Sequence, residues 1–295
     1  MPASQPAYLM RDEPVMPEVE LLIPKVVHWC WFGGGELPEL HAMCVESWVR
    51  NLPGWEIRLW SEKTFDIDSN SFVSGAYRAR KYAFVSDYVR AWALATFGGL
   101  YLDADVEIKQ ALDIFLRHQA FTGFESIGFP FTAVWGSVRG HGLAASVLSY
   151  YNNRVYTASE PPNTGWVSDI IAKTYGIDRY SDVFQLGTNG RDSIAIYPSP
   201  VLCLDLPQSY ATHHFAGSWV GRGSTSDLLK NNLRSKYLAG LLLDNDVPSS
   251  KIAIAERLSW REIGQLCLYK TRQRILHLCY DARKLFGKCF MSSRS

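Results

Sequence analysis

An α/β fold is predicted by three observations. Short apolar runs bounded by glycine or charge, such as Leu100-Tyr101-Leu102, read as buried strands. Segments with apolar residues at 3- and 4-residue spacing, such as 38–51, lie between them and read as helices. The stretch from Lys81 to Gln110 joins both kinds, as a helix, the turn Gly98-Gly99 and a strand that ends in Asp103 and Asp105. Ligands of open α/β sheets bind at the carboxyl ends of strands. That strand end is therefore the first place to look for chemistry.

The elements follow in order. Residues 1–20 hold prolines at 2, 6, 14 and 17 and read as a flexible lead-in. Leu22 to Phe32 is apolar enough for a buried strand, closed by Gly33-Gly34-Gly35, where backbone can approach a ligand. The three glycines lack the spacing and the lysine of the common phosphate-binding fingerprints. Residues 38–51 predict a helix with Leu40, Met43, Cys44 and Trp48 on one face, and Pro53-Gly54 a turn. Trp55 to Trp60 alternates as a strand, whereas 61–76 is polar and predicts a loop. Strands are expected at 120–124 and 131–136, helices at 143–151 and 166–175, and a short strand at 194–197. Tyr210 to Gly221 is expected to be loop-rich, with His213 and His214 adjacent. In extended backbone those two point to opposite sides, so one of them can face a given site.

Composition narrows the class. A hydrophobic fraction of 47% over 295 residues supports a sizeable core, and a net charge of +1 gives no reason to expect a nucleic-acid partner. Six scattered cysteines without a Cys-x-x-Cys pair suggest reduced, mostly buried thiols. The N-terminus shows no apolar signal core, and no run of about 18 apolar residues occurs. The expected location is therefore cytoplasmic. Residues 251–295 differ from the rest, with 10 Lys and Arg against 3 Asp and Glu. Within them Ile275, Leu278, Cys279, Ala282, Leu285, Phe286 and Cys289 form a helical stripe. One reading is a helix packed on the body with a solvated basic face. The other is an interfacial helix on an anionic membrane surface, which would make the protein peripheral at the inner face. The chain divides accordingly into a lead-in at 1–20, a body at 21–222 and a basic, amphipathic helical extension at 223–295.

The chemistry-bearing residues cluster on the central stretch. Asp103 and Asp105 at a strand end suit Mg²⁺ or Mn²⁺, which take oxygen ligands and commonly bridge to substrate phosphates. A solvated turn is the ordinary explanation of Asp-x-Asp, and the buried strand leading into it favours the metal. Asp87 and Arg90 share one helix face, as a surface ion pair or as part of the same site. Trp31 follows the first strand, as a core residue or as a stacking platform for a nucleobase. Glu125 stands near another predicted strand end.

Three blocks, IPKVVHWCWFGG, KYAFVSDYVRAWALATFGGLYLDADVE and YATHHFAGSW, resemble the signatures of glycosyltransferase family 32. These are the DXD sugar transferases that include yeast initiating α-1,6-mannosyltransferases and many bacterial capsule and O-antigen enzymes. The first two blocks are also similar to the glucosylating domain of large clostridial toxins. The resemblance spans roughly residues 22 to 220. It implies a GT-A fold, a Rossmann-like nucleotide-sugar-binding sheet, and a retaining, metal-dependent hexosyl transfer in surface polysaccharide synthesis. A UDP-hexose is the first-choice donor and GDP-mannose the second, with a saccharide or lipid-linked oligosaccharide as acceptor. The catalytic group it implies is Asp87, Arg90, Asp103 and Asp105. Trp31, Phe32, Gly33, Tyr101, Ser218 and Trp219 would join Asp87, Arg90 and Asp103 in holding the donor. Asp103, Asp105 and His213 would hold Mn²⁺ or Mg²⁺. The Thr-Gly-Pro element of many members has Thr164-Gly165-Trp166 as its nearest match here. Two other readings compete. Leu102 to Val106 fits the nucleophile motif of haloacid-dehalogenase-like phosphatases, although that motif usually opens its domain. A non-catalytic membrane-associated scaffold would keep the fold, but a buried carboxylate pair without a metal is costly.

Overall fold

The computed structural model describes residues 20–131, 133–216 and 225–243, with 264, 268 and 271. The first half alternates strand and helix: β1 (Val26–Cys30), α1 (Glu39–Asn51), β2 (Glu56–Trp60), α2 (Ser71–Arg78), α3 (Tyr82–Phe97) and β3 (Gly99–Leu102). Then come β4 (Val106–Ile108), β5 (Ala120–Gly123), β6 (Val134–Ser137), α4 (Gly142–Tyr150) and α5 (Asn163–Tyr175). The last elements are β7 (Gln185–Thr188), β8 (Ser193–Tyr197), α6 (Ser199–Leu202), β9 (Ala211–His213) and α7 (Thr225–Leu243). Seven strands form one sheet in the order β2-β1-β3-β6-β5-β8-β7, and β4 pairs with β9 beside it. Only β6 and β7 run against the other five, so the sheet is the parallel-rich α/β type that the sequence implies. Among the described residues no helix is long and apolar enough to cross a membrane.

Alternation along the strands builds two cores. In β3, Leu100 and Leu102 face one side with Trp48, Val106 and Phe115. Tyr101 faces the other, with Val85 and Val89 of α3, Val147 of α4 and Ile171 of α5. Apolar side chains thus cover both faces, which explains why β3 reads as a continuous apolar run.

Several sequence expectations need correction. Residues 61–76 are not all loop, because α2 begins at Ser71 and buries Phe72, Val73 and Ala76. Asn70 caps it, its Oδ1 accepting from Phe72 N at 2.9 Å. On α1, Met43 is exposed; Cys44, Ser47 and Trp48 make the buried face. Regular pairing in the first strand is limited to Val26–Cys30, and Leu21 and Leu22 are exposed. His213 closes a short strand, β9, inside the stretch expected to be loop. The lead-in at 1–19 and the apolar stripe at 275–289 lie outside the described residues.

The turn between α3 and β3 requires glycine twice. Gly98 has φ 68 and ψ −170, and its N–H donates to Leu94 O to close the helix. Gly99 has φ 107, and a Cβ there would lie 2.7 Å from Val26 O on the neighbouring β1. Gly99→Ala is expected to destabilise the protein by about 2–3 kcal/mol, read as a lower urea midpoint with an unchanged slope.

Candidate active site

The parallel strands β1, β3 and β5 end at one edge of the sheet, and the candidate residues collect there. Directly after β3, Asp103 N donates to Ala133 O at 3.0 Å, and Val106 N returns to Asp103 O at 3.0 Å. The chain therefore turns sharply and leaves through β4. Helix α1 holds that exit in place. Trp48 Nε1 donates to Val106 O at 2.7 Å, Ile108 N donates to Ser47 Oγ at 2.9 Å, and Asn51 Nδ2 donates to Ile108 O at 2.7 Å. Three side chains of one helix face thus satisfy a strand that has the sheet partner β9 on its other side.

The β4–β9 pairing brings the histidine in. Val106 is in register with His213, and His213 N donates to Cys203 O at 2.9 Å. Its Nε2 stands 3.5 Å from Asp105 Oδ2. Phe215, at φ 54, then turns the chain so that Ala216 N donates to the same Oδ2 at 2.7 Å. His214 faces the other way, with Nε2 3.1 Å from Glu107 Oε2 and Nδ1 3.1 Å from Lys230 Nζ of α7. Lys230 also pairs with Asp205, which in turn holds Lys109 of the β4 exit.

Asp103, Asp105 and His213 offer ligand atoms that all lie within 4.8 Å of one another. The two carboxylates suit Mn²⁺ or Mg²⁺, and the imidazole adds a nitrogen donor of the kind that transition metals take. The electrostatics agree with a place for a cation. Burial pushes Asp105 up, but the His213 charge and the Ala216 N–H outweigh it, so its carboxyl sits below the ordinary range. His213 is held above its ordinary value, because Asp105 overcomes the effect of burial. Burial raises Asp103, with Asp105 adding to the rise and Arg90 opposing it.

On the helix side of β3, Arg90 is 5% exposed and joins two carboxylates. Its Nη2 lies 3.0 Å from Asp87 Oδ1 and 2.9 Å from Asp103 Oδ1, and its guanidinium sits over the Tyr101 ring at 4.7 Å. Asp87 is 1% exposed, yet neither oxygen makes an aligned hydrogen bond among the described residues. Burial pushes its carboxyl up to about 7, with Arg90 opposing and Asp103 and Glu160 adding to the rise. Such a carboxylate has unused acceptor capacity.

The aromatic and glycine positions divide. Trp31 is half-buried after β1, its Nε1 donating to Gly35 O at 2.8 Å and its ring 5.2 Å from that of His41. Phe32 and Tyr101 are buried in the core. Tyr101 touches the site from beneath, through Arg90 and Asp103. Gly33 is exposed, but its N–H is taken by Glu62 Oε1 at 3.0 Å, and a Cβ there would meet the Tyr82 ring. Ser218 and Trp219 lie outside the described residues. Thr164-Gly165-Trp166 falls in the first turn of α5, where Trp166 stacks on Tyr150 at 3.9 Å.

Two residues enter that sequence reasoning did not select. His41 lies beside Trp31 and within the field of Asp105. Its signal was the spacing 41, 44, 48 on the buried face of α1. Glu160 lies within the field of Asp87 and accepts from Tyr150 OH at 2.7 Å and from Arg154. It has no local signal, since it lies 10 positions beyond Tyr150 and the loop after α4 brings it back.

The family described as "glycosyltransferase sugar-binding region containing DXD motif" matches residues 38–122, which hold Asp87, Arg90, Asp103 and Asp105. That stretch of the chain is similar to the DXD-containing glycosyltransferases. It is 27% identical over 214 residues to inositol phosphoceramide mannosyltransferase 1 of Schizosaccharomyces pombe, a match covering 68% of this chain and 63% of that protein. With inositol phosphoceramide mannosyltransferase 3 of the same yeast it shares 28% identity over 130 residues, 43% of this chain and 36% of the relative. The matches thus span less than two thirds of either relative's length. Among solved structures, a glycosyltransferase involved in glycosylation of the major capsid of PBCV-1 aligns at 14% identity and a TM-score of 0.39. That alignment covers 72% of this chain and 99% of the other. The PaToxG glycosyltransferase aligns at 11% identity and 0.38, over 51% and 68%.

Proposed function

We propose that this chain transfers a hexose from a nucleotide sugar to a hydroxyl-bearing acceptor, with Mn²⁺ or Mg²⁺ bound at Asp103, Asp105 and His213. The observation that carries the reading is the meeting, at one sheet edge, of that triad with the Asp87–Arg90 pair. Breaking the sugar–phosphate bond builds negative charge on the departing diphosphate, and a divalent cation stabilises such charge as it develops. The chain's own residues do the rest. Trp31 offers a flat face to the base. Asp87 accepts hydrogen bonds from sugar hydroxyls through oxygens that make no aligned hydrogen bond among the described residues. Arg90 spaces Asp87 from Asp103 and keeps both carboxylates fixed. The reaction proposed retains the anomeric configuration, the departing diphosphate taking the acceptor's proton. A phosphatase reading would leave Asp87, Arg90 and His213 without a task.

The relatives are named as mannosyltransferases of a phosphoceramide. As a proposal for this chain, that favours GDP-mannose over a UDP-hexose and a lipid-borne sugar or polyol as acceptor. A lipid-linked oligosaccharide of surface polysaccharide synthesis falls within that class. The test is a thermal-shift series with UDP and GDP, each with and without Mn²⁺. A shift that needs both Mn²⁺ and one of the nucleotides is expected, equivalent to about 2.7 kcal/mol at a hundredfold excess over Kd. No shift with either nucleotide would overturn the donor reading.

A further inference from the structure

Glu125 follows β5, two strands across the sheet from β3. Because β3 and β5 run in the same direction, Glu125 and Asp103 leave the same edge, about 10 Å apart at the usual strand spacing. Trp31, after β1, lies on the far side of Asp103. The loop that begins at Glu125 is fixed. Glu125 N donates to Phe129 O at 2.9 Å, Phe124 N donates to Tyr197 O at 2.8 Å, and Gly128 exchanges hydrogen bonds with Arg179 in both directions. One residue ties this loop to the metal-side histidine: Cys203 Sγ donates to Glu125 O at 3.7 Å, and Cys203 O accepts from His213 N.

The Glu125 side chain is half-buried and lies in the field of His213, Asp103, Asp105 and Arg90. Burial raises its carboxyl above the ordinary range. It makes no side-chain hydrogen bond among the described residues, and it is not one of the three groups whose ligand atoms cluster within 4.8 Å. Arg90 is already shared between Asp87 and Asp103. A carboxylate mounted on a fixed loop, within the field of a charged site and without a hydrogen-bond partner among the described residues, can take a hydrogen-bond donor from a bound ligand.

We propose that Glu125 contacts the acceptor, accepting a hydrogen bond from the hydroxyl that attacks the donor sugar or from its neighbour on the same ring. This rests on the sugar-transfer reading above. It assigns the two sides of the triad, with the nucleotide over Trp31 and β1 and the acceptor over β5. Glu125 needs no role in proton removal, since the leaving diphosphate takes that proton.

The test is Glu125→Gln in the full chain, with Glu125→Ala beside it and melting temperatures as the fold check. Affinity for UDP or GDP with Mn²⁺ is measured by calorimetry. Turnover of the matching nucleotide sugar is measured with water alone and with octyl α-mannoside as acceptor probe. The expected result is nucleotide affinity within about twofold of wild type, with turnover lower by roughly tenfold to a hundredfold, the effect of losing a hydrogen bond to a charged group. Loss of Mn²⁺-dependent nucleotide affinity in step with turnover would make Glu125 part of the metal site and overturn the assignment. Unchanged turnover would overturn it too. A wild-type protein that binds no nucleotide with Mn²⁺ overturns the donor reading itself, and this inference with it.

Discussion

Asp105→Asn is expected to lower metal-dependent turnover of the nucleotide sugar by about a thousandfold, on the order of 4 kcal/mol of transition-state stabilisation. The substitution keeps the size of the side chain and an oxygen for the Ala216 N–H, which donates to it at 2.7 Å. It removes the charge that opposes His213 and that a divalent cation requires. The fold is expected to survive, because His213 is not left as a stranded cation. Without Asp105, the burial that already presses its pKa down makes the neutral imidazole the stable form. The stability cost is therefore about 1–2 kcal/mol rather than the 3–5 kcal/mol of a broken buried pair. Its pH dependence has a definite sign. The depressed carboxyl of Asp105 contributes stability that is present above about pH 4 and lost as pH falls through its folded value. The raised imidazole of His213 contributes stability that is present below about pH 6.5 and lost as pH rises through its folded value. Both describe one pair, so the gap between wild type and variant is widest between those limits and narrows on the acid side. Urea titrations across pH measure it. Undiminished metal-dependent turnover in the variant would take Asp105 out of the metal site.

How much of this was readable in the sequence follows from distance along the chain. Asp87, Arg90, Asp103 and Asp105 lie on one helix–turn–strand unit, so local periodicity and the Gly98-Gly99 turn place them together. His213 is 108 positions beyond Asp105, and its approach depends on the β4–β9 register, which no local pattern encodes. Only the resemblance to a family put it near the metal. The side-chain alternation in β3 carries Tyr101 to the helix-covered face, and a purely apolar run hides that choice. Helix α2 escaped notice because its apolar stripe is only Phe72, Val73 and Ala76, set among serines and a glycine. Glu125 was visible as a carboxylate near a strand end. What makes it informative is the absence of a partner among the described residues, and only the packed structure shows that.

Asp87→Asn is expected to stabilise the protein while reducing its turnover. The carboxyl of Asp87 is 1% exposed and pushed up to about 7 by burial, against the attraction of Arg90. A raised acid makes a contribution that is fully present below about pH 4 and lost as pH rises through the folded value. Between those limits the cost of ionising Asp87 accumulates to on the order of 2–4 kcal/mol. Asparagine has the same shape and no such cost. Arg90 opposes this, since removing one member of a buried ion pair ordinarily strands the other. Here Arg90 keeps Asp103 at 2.9 Å, so its charge remains paired. The burial cost then wins, and the variant is expected to be more stable at pH 8, with that gain gone at about pH 4 and below. Turnover moves the other way. Asparagine keeps one acceptor oxygen and loses the charge, so the sugar hydroxyls lose a charge-assisted contact, about a hundredfold in rate. A buried carboxylate left short of hydrogen bonds is then a cost that the free protein carries and the bound sugar relieves. Equilibrium unfolding at about pH 4 and about pH 8, with kinetics at the higher pH, decides the matter. A variant that is less stable at pH 8 would show that Asp87 serves chiefly to hold Arg90, and the sugar contact would have to be reassigned.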